Sequence, residues 1–196
     1  MVRPRADNYE ERRQGILDGA AAMFAEHGFD GTSIATIAQY LGVSKALLYH
    51  YYQSKESLLY DMLKSHCDLL VETADSAVKE ADTPEAQLQS LVRALMSLYV
   101  SSRDKHVVLL NNLHCLPQAQ QKEIKDLERR VIEVIKELLA KLRPDLKQPA
   151  RTSLAMYLMG AVNWTYTWFK SKGPVSESEF ADLATSTFLN GVRGSQ

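Results

Sequence analysis

The stretch from Ile34 to Tyr51 constrains this chain more than any other part of it. Apolar residues fall at Ile34, Ile37, Leu41, Val43 and Leu48, with Ala38 and Gly42 set four positions apart. That pattern predicts two short helices, about Ile34–Leu41 and Ser44–Tyr51, crossing steeply around a tight turn. The crossing needs a small side chain, which Ala38 supplies. The turn needs a residue that accepts positive φ, which Gly42 supplies. Thr32 or Ser33 can cap the first helix. An ordinary helical hairpin shares this spacing, so the outward side chains must separate the readings. Ser44, Lys45, Ala46, Tyr49 and His50 are small, polar or able to meet phosphate, which suits a helix lying in a DNA major groove. Lys55 opens the next helix, where free amides also face anions.

Charge at first argues the other way. The 196 residues carry 23 Lys and Arg against 24 Asp and Glu, a net charge of −1, whereas nucleic-acid-binding domains are usually basic. The distribution reverses that impression. No Asp or Glu occurs from Gly31 through Lys55, so the local field over this element is positive. Arg3 and Arg5 suit a basic arm reaching a minor groove, although a solvated tail fits them equally.

Elsewhere the apolar spacing is helical throughout, with no strand-period alternation. Expected helices run from about Tyr9 to His27, from a Ser54 cap to Lys79, from Thr83-Pro84 to Ser102, from His106 to Cys115 and from Gln118 to Leu142. The last two are Ala150 to Lys172 and a helix opened by the Ser176-x-x-Glu179 capping box, ending near Gly191. The expected fold is all-α, about nine helices. A three-helix DNA-binding unit spans 1–54 and a ligand-binding and dimerisation body spans 55–196. Cys67 and Cys115 form no C-x-x-C, so neither a disulfide framework nor a zinc ribbon is indicated. A polar start without a secretory signal gives a cytoplasmic expectation. The uncharged run 152–169 reaches the lower length limit for crossing a bilayer, but Ser153, Asn163, Thr165 and Thr167 make it a buried helix instead. No phosphate loop, dinucleotide fingerprint or nucleophile elbow is present, so no enzyme, cofactor or metal site is expected.

Residues Ile16 to Phe29, Gly31-Thr32-Ser33-Ile34, Ile37-Ala38, Gly42 to Tyr52 and Ser54 to Leu59 together resemble the DNA-binding domain of the TetR family of bacterial transcriptional repressors. The resemblance places Thr32, Lys45, Tyr49, Tyr51 and Lys55 at positions that commonly meet phosphates or base edges. With the outward residues above, the DNA-binding set is Thr32, Ser33, Ser44, Lys45, Ala46, Tyr49, His50, Tyr51 and Lys55. The resemblance implies a homodimer on a pseudo-palindromic operator, released when the C-terminal body takes up a small effector.

For that body, Gly160 and Ala161 permit close approach of a partner helix. Met159, Asn163, Tyr166 and Lys170 recur at helical spacing and can wall a pocket. Tyr99, Asn111 and His114 complete the candidate effector set. His106 and His114 lack a third ligand for zinc. The stretch Asn163 to Phe169, Gly173-Pro174 and Phe188 to Gly191 resembles a TetR subgroup that includes repressors of fatty-acid, aromatic-acid and steroid-ring degradation, several responsive to acyl-CoA thioesters. An acyl-CoA effector is therefore expected. A drug-responsive repressor of an efflux system is the rival.

Overall fold

The computed structural model describes residues 4–79 and 81–194, and all regular structure among them is helical. In chain order the helices are α1 (Pro4–His27), α2 (Ile34–Tyr40), α3 (Lys45–Tyr51), α4 (Lys55–Ala77), α5 (Pro84–Ser101), α6 (Arg103–Asn112), α7 (Gln118–Leu142), α8 (Gln148–Asn163), the single turn α9 (Thr165–Trp168) and α10 (Glu177–Gly194). A 3-10 turn, Leu113–Cys115, follows α6. Arg3 and the side chain of Arg5, the expected basic arm, lie outside the described residues. No helix among those described is long and apolar enough to cross a membrane.

Two compact units form. The first takes the chain to His66 together with Asp104–Ile124, so the boundary expected at 54/55 falls inside it. Its core is built from Leu17, Phe24, Ile37, Leu48, Leu58 and Met62, all buried. Each such side chain contributes roughly 1.5–3 kcal/mol relative to remaining exposed. Gly28 ends α1 at φ 74 and Gly42 makes the α2–α3 turn at φ 66, the left-handed positions that the sequence pattern requires. Ser33 caps α2: its hydroxyl accepts from Thr36 N at 3.1 Å, and Thr36 Oγ1 accepts from Ser33 N at 2.8 Å.

The second unit holds Cys67–Arg103 and Lys125 onward. Leu88, Leu91, Val92, Leu95 and Met96 of α5 are buried, as are Ala181, Thr185, Phe188 and Val192 of α10, which packs along α5. Polar groups fix the register between these two helices. Arg93 donates twice to Asp182, at 2.6 Å each, and Gln89 once at 3.0 Å. The Ser176–Glu179 box forms as the spacing predicts, with Ser176 N donating to Glu179 at 2.7 Å and Glu179 N to Ser176 Oγ at 3.2 Å.

One helix expectation fails. The run expected as a single helix to Lys172 breaks after Asn163. Thr165 Oγ1 donates to Val162 O at 2.6 Å and Thr167 Oγ1 to Trp164 O at 2.8 Å. These hydroxyls satisfy two carbonyls at the break, where the helical ladder stops.

Candidate nucleic-acid interface

Ser44 begins α3 as its N-cap, accepting from Leu47 N at 3.1 Å. One turn on, Leu48 is fully buried and fixes which face of this seven-residue helix points inward. Lys45, Ala46, Tyr49 and His50 consequently point out, with Tyr49 47% exposed. The Lys45 ammonium lies 5.6 Å from the Tyr49 ring centroid, a cation–π approach that leaves both groups on the outer surface. Lys45 and Tyr49 line one open groove together with Ser33, Thr36 and Gln53. Thr32 and Lys55 line it too, as does Asp30, just outside the acid-free stretch.

The far end of α3 is anchored. The Tyr51 ring stacks on Tyr9 of α1 at 4.7 Å, and His50 meets Tyr51 edge-on at 5.5 Å. Tyr51 is thus partly a packing residue rather than a free contact. Tyr52 caps α3, and its hydroxyl donates to Asp61 of α4 at 2.6 Å. Arg13 of α1 closes the network with two bonds to the same carboxylate, at 3.0 and 2.6 Å. Burial, then the bond to Asp61, pushes the Tyr52 phenol above its ordinary range. Sequence reading missed this network, because its members lie 9 and 48 positions apart and share no local pattern.

Two expected DNA contacts take other roles. Thr32 is 2% exposed, and its hydroxyl donates to Gly28 O at 2.8 Å and Met23 O at 3.2 Å. It fastens the α1–α2 loop from inside and has no hydroxyl to offer a phosphate. Lys55 donates to Phe29 O at 2.6 Å and Thr32 O at 3.0 Å, with its ammonium 4.0 Å over the Phe29 ring. Most of its bonding capacity is spent within the protein.

Known proteins share this arrangement. The description "Bacterial regulatory proteins, tetR family" matches residues 16–62, and "Tetracyclin repressor-like, C-terminal domain" matches 81–192, more than half the chain. The chain belongs to the TetR family. It is a DNA-binding transcriptional regulator of that type. A TetR-family regulator from Bordetella parapertussis is 37% identical, with a TM-score of 0.90 over 96% of this chain and 99% of the other. The repressor KstR2 of Mycolicibacterium smegmatis is 28% identical over 94% of this chain and 92% of its own. AibR, solved in complex with isovaleryl coenzyme A and operator DNA, is 26% identical, with a TM-score of 0.79 over 90% and 97% of the two chains.

In this TetR family chain the expected effector residues separate into two groups. Tyr99 and Met159 are buried in the second unit, and Asn163 is half-buried there. The Asn163 Oδ1 atom is buried and accepts no hydrogen bond within the protein. The α8 break undoes the rest of the proposed stripe. Tyr166 follows the break, its carbonyl accepting from Arg103 at 3.2 Å, and Lys170 is exposed beyond α9. Asn111 and His114 belong to the first unit and are exposed, with Asn111 Nδ2 turned back onto Val107 O at 2.9 Å.

Proposed function

We propose that this protein is a dimeric repressor that reads a pseudo-palindromic operator with α3 and is released by an acyl-CoA thioester. The observation that carries the DNA reading is the outward face of α3. Lys45, Ala46, Tyr49 and His50 project from a helix whose inward side is fixed by Leu48, within a stretch free of carboxylates. Two-fold symmetry supplies the second reading helix and sets the spacing of half-sites. The second copy has a face to pack against. Met156, Tyr157, Trp164 and Leu183 are exposed on α8 and α10 and just after α8, and nothing lies within 4 Å of where a Gly160 Cβ would sit. Exposed aromatic area on this scale marks an association surface.

The test is selection of duplex DNA from a random pool, followed by titration across salt. The expected result is a palindromic site. Lys45→Ala should weaken binding to it and flatten the log Kd against log salt slope by about one unit, the value for one lost phosphate contact. Failure of the wild-type protein to enrich any site would end the DNA reading.

The effector assignment draws on the resemblance to AibR and KstR2 and on three residues of the second unit, Tyr99, Met159 and Asn163. The buried carboxamide oxygen of Asn163 supports them as pocket wall, because a buried acceptor without a donor is costly unless a ligand supplies one. A ligand that favours the non-binding conformation must bind it more tightly than the other. Isovaleryl-CoA and benzoyl-CoA should therefore raise Tm in a thermal-shift panel and release operator DNA, while lipophilic cations do neither. The reverse pattern would favour a drug-responsive efflux regulator instead.

A further inference from the structure

We infer that Lys55 is a positioning residue, which holds the α1–α2 loop in the shape that places α2 and α3, and that it acts on DNA through this loop instead of through its own charge. The inference rests on the DNA reading above.

A lysine is the wrong charge for the first turn of a helix, where the dipole favours anions. Lys55 occupies that turn in α4, a helix of 23 residues already capped by Ser54, whose hydroxyl accepts from Ser57 N at 3.1 Å. The side chain compensates by reaching back 26 and 23 positions to the carbonyls of Phe29 and Thr32. Those oxygens belong to the loop between α1 and α2, where Phe29 O also accepts from Thr32 N at 3.3 Å. The Phe29 ring beneath the ammonium is itself buried and packed 5.4 Å from Phe24. Three independent contacts therefore converge on one cation. The residue directly after Thr32 is Ser33, the cap of α2. Any loosening of the loop is thus delivered to the start of the helix that carries α3 on its flank.

Arginine separates the two roles of Lys55. It keeps a charge for phosphate, but its larger planar guanidinium does not reproduce a compact ammonium that bonds both carbonyls while sitting over a ring. The experiment compares full-length wild type, Lys55→Arg and Lys55→Met on the operator selected by wild type. It uses titrations from roughly 50 to 200 mM salt and amide hydrogen exchange of residues 28–33 without DNA. The expected result has four parts. Lys55→Met weakens binding about tenfold, the loss of a charge-assisted bond. Its salt slope matches wild type. Lys55→Arg does not restore affinity. Exchange through residues 28–33 quickens in both variants. Recovery by arginine, a slope flatter by about one unit in Lys55→Met, or unchanged exchange would each overturn the inference. If wild type selects no operator, the DNA reading fails while the exchange data still decide whether Lys55 holds the loop.

Discussion

Gly31→Ala should cripple the reading head while leaving the second unit intact. A Cβ at this position would lie 2.3 Å from His27 O, well inside van der Waals contact. The obstacle is main chain at the end of α1, so no rotamer change relieves it. The loop must shift instead, at a cost of about 2–3 kcal/mol by the usual scale for forced overpacking. The shift would reach the Phe29 and Thr32 carbonyls that receive Lys55, and the Ser33 cap. Operator affinity should therefore fall at least about tenfold, in addition to the loss of folding stability. Urea unfolding and DNA titration measure the two effects separately. Gly15→Ala is the control. It lies on the exposed face of α1 with nothing within 4 Å of its would-be Cβ, so it should stabilise the helix by about 1 kcal/mol. Equal effects at the two positions would show that the approach to His27 O does not govern Gly31.

That contrast marks what was legible in the sequence. Local rules were. The Ala38–Gly42 spacing, the caps at Ser54, Thr83 and Ser176, and the left-handed glycines at 28 and 42 all follow from neighbours within one turn of the chain. Gly31 was not legible, because its backbone φ is ordinary and its need is room beside a carbonyl. Lys55 was read as a phosphate contact because its partners lie more than twenty positions back. The effector stripe on α8 failed for a different reason. Helical spacing assumes an unbroken helix, and the end of α8 at Asn163 is not something periodicity registers.

The charge argument also changes when the fold is known. The acid-free window from Gly31 to Lys55 was read as uniformly favourable to DNA. The Thr32 hydroxyl and the Lys55 ammonium bond to carbonyls within it, and Asp30 lines the same groove. The positive surface offered outward is therefore narrower than the window, and Lys45 carries more of it than residue counting suggests. An affinity that depends steeply on this one side chain follows from that geometry.

Acid should weaken the first unit through one residue, His66. Its ring is 2% exposed, with Nε2 3.4 Å from His106 Nδ1, and its own Nδ1 finds no partner within the protein. Burial, helped by the nearby Lys105 ammonium, lowers the His66 pKa from 6.5 to about 4. Lys105 is held in place by Asp18 at 2.6 Å. The sign follows from proton counting. Below pH 6.5 the unfolded imidazole takes a proton that the folded one refuses until about pH 4. The unfolded state binds more protons across that window, so stability is complete above pH 6.5 and is lost as pH falls toward 4. At about 1.4 kcal/mol per pH unit, the loss attributable to His66 reaches about 3 kcal/mol. His66→Gln keeps a polar group beside His106 and removes the titration. Urea unfolding of both proteins at pH 7.0 and pH 4.5 isolates the effect, because every carboxylate is common to the pair. The variant should be less sensitive to acid by roughly 2–3 kcal/mol. Parallel pH profiles would mean that the buried imidazole accepts its proton in the folded state after all, with His106 or an opening of the α4–α6 contact accommodating the charge.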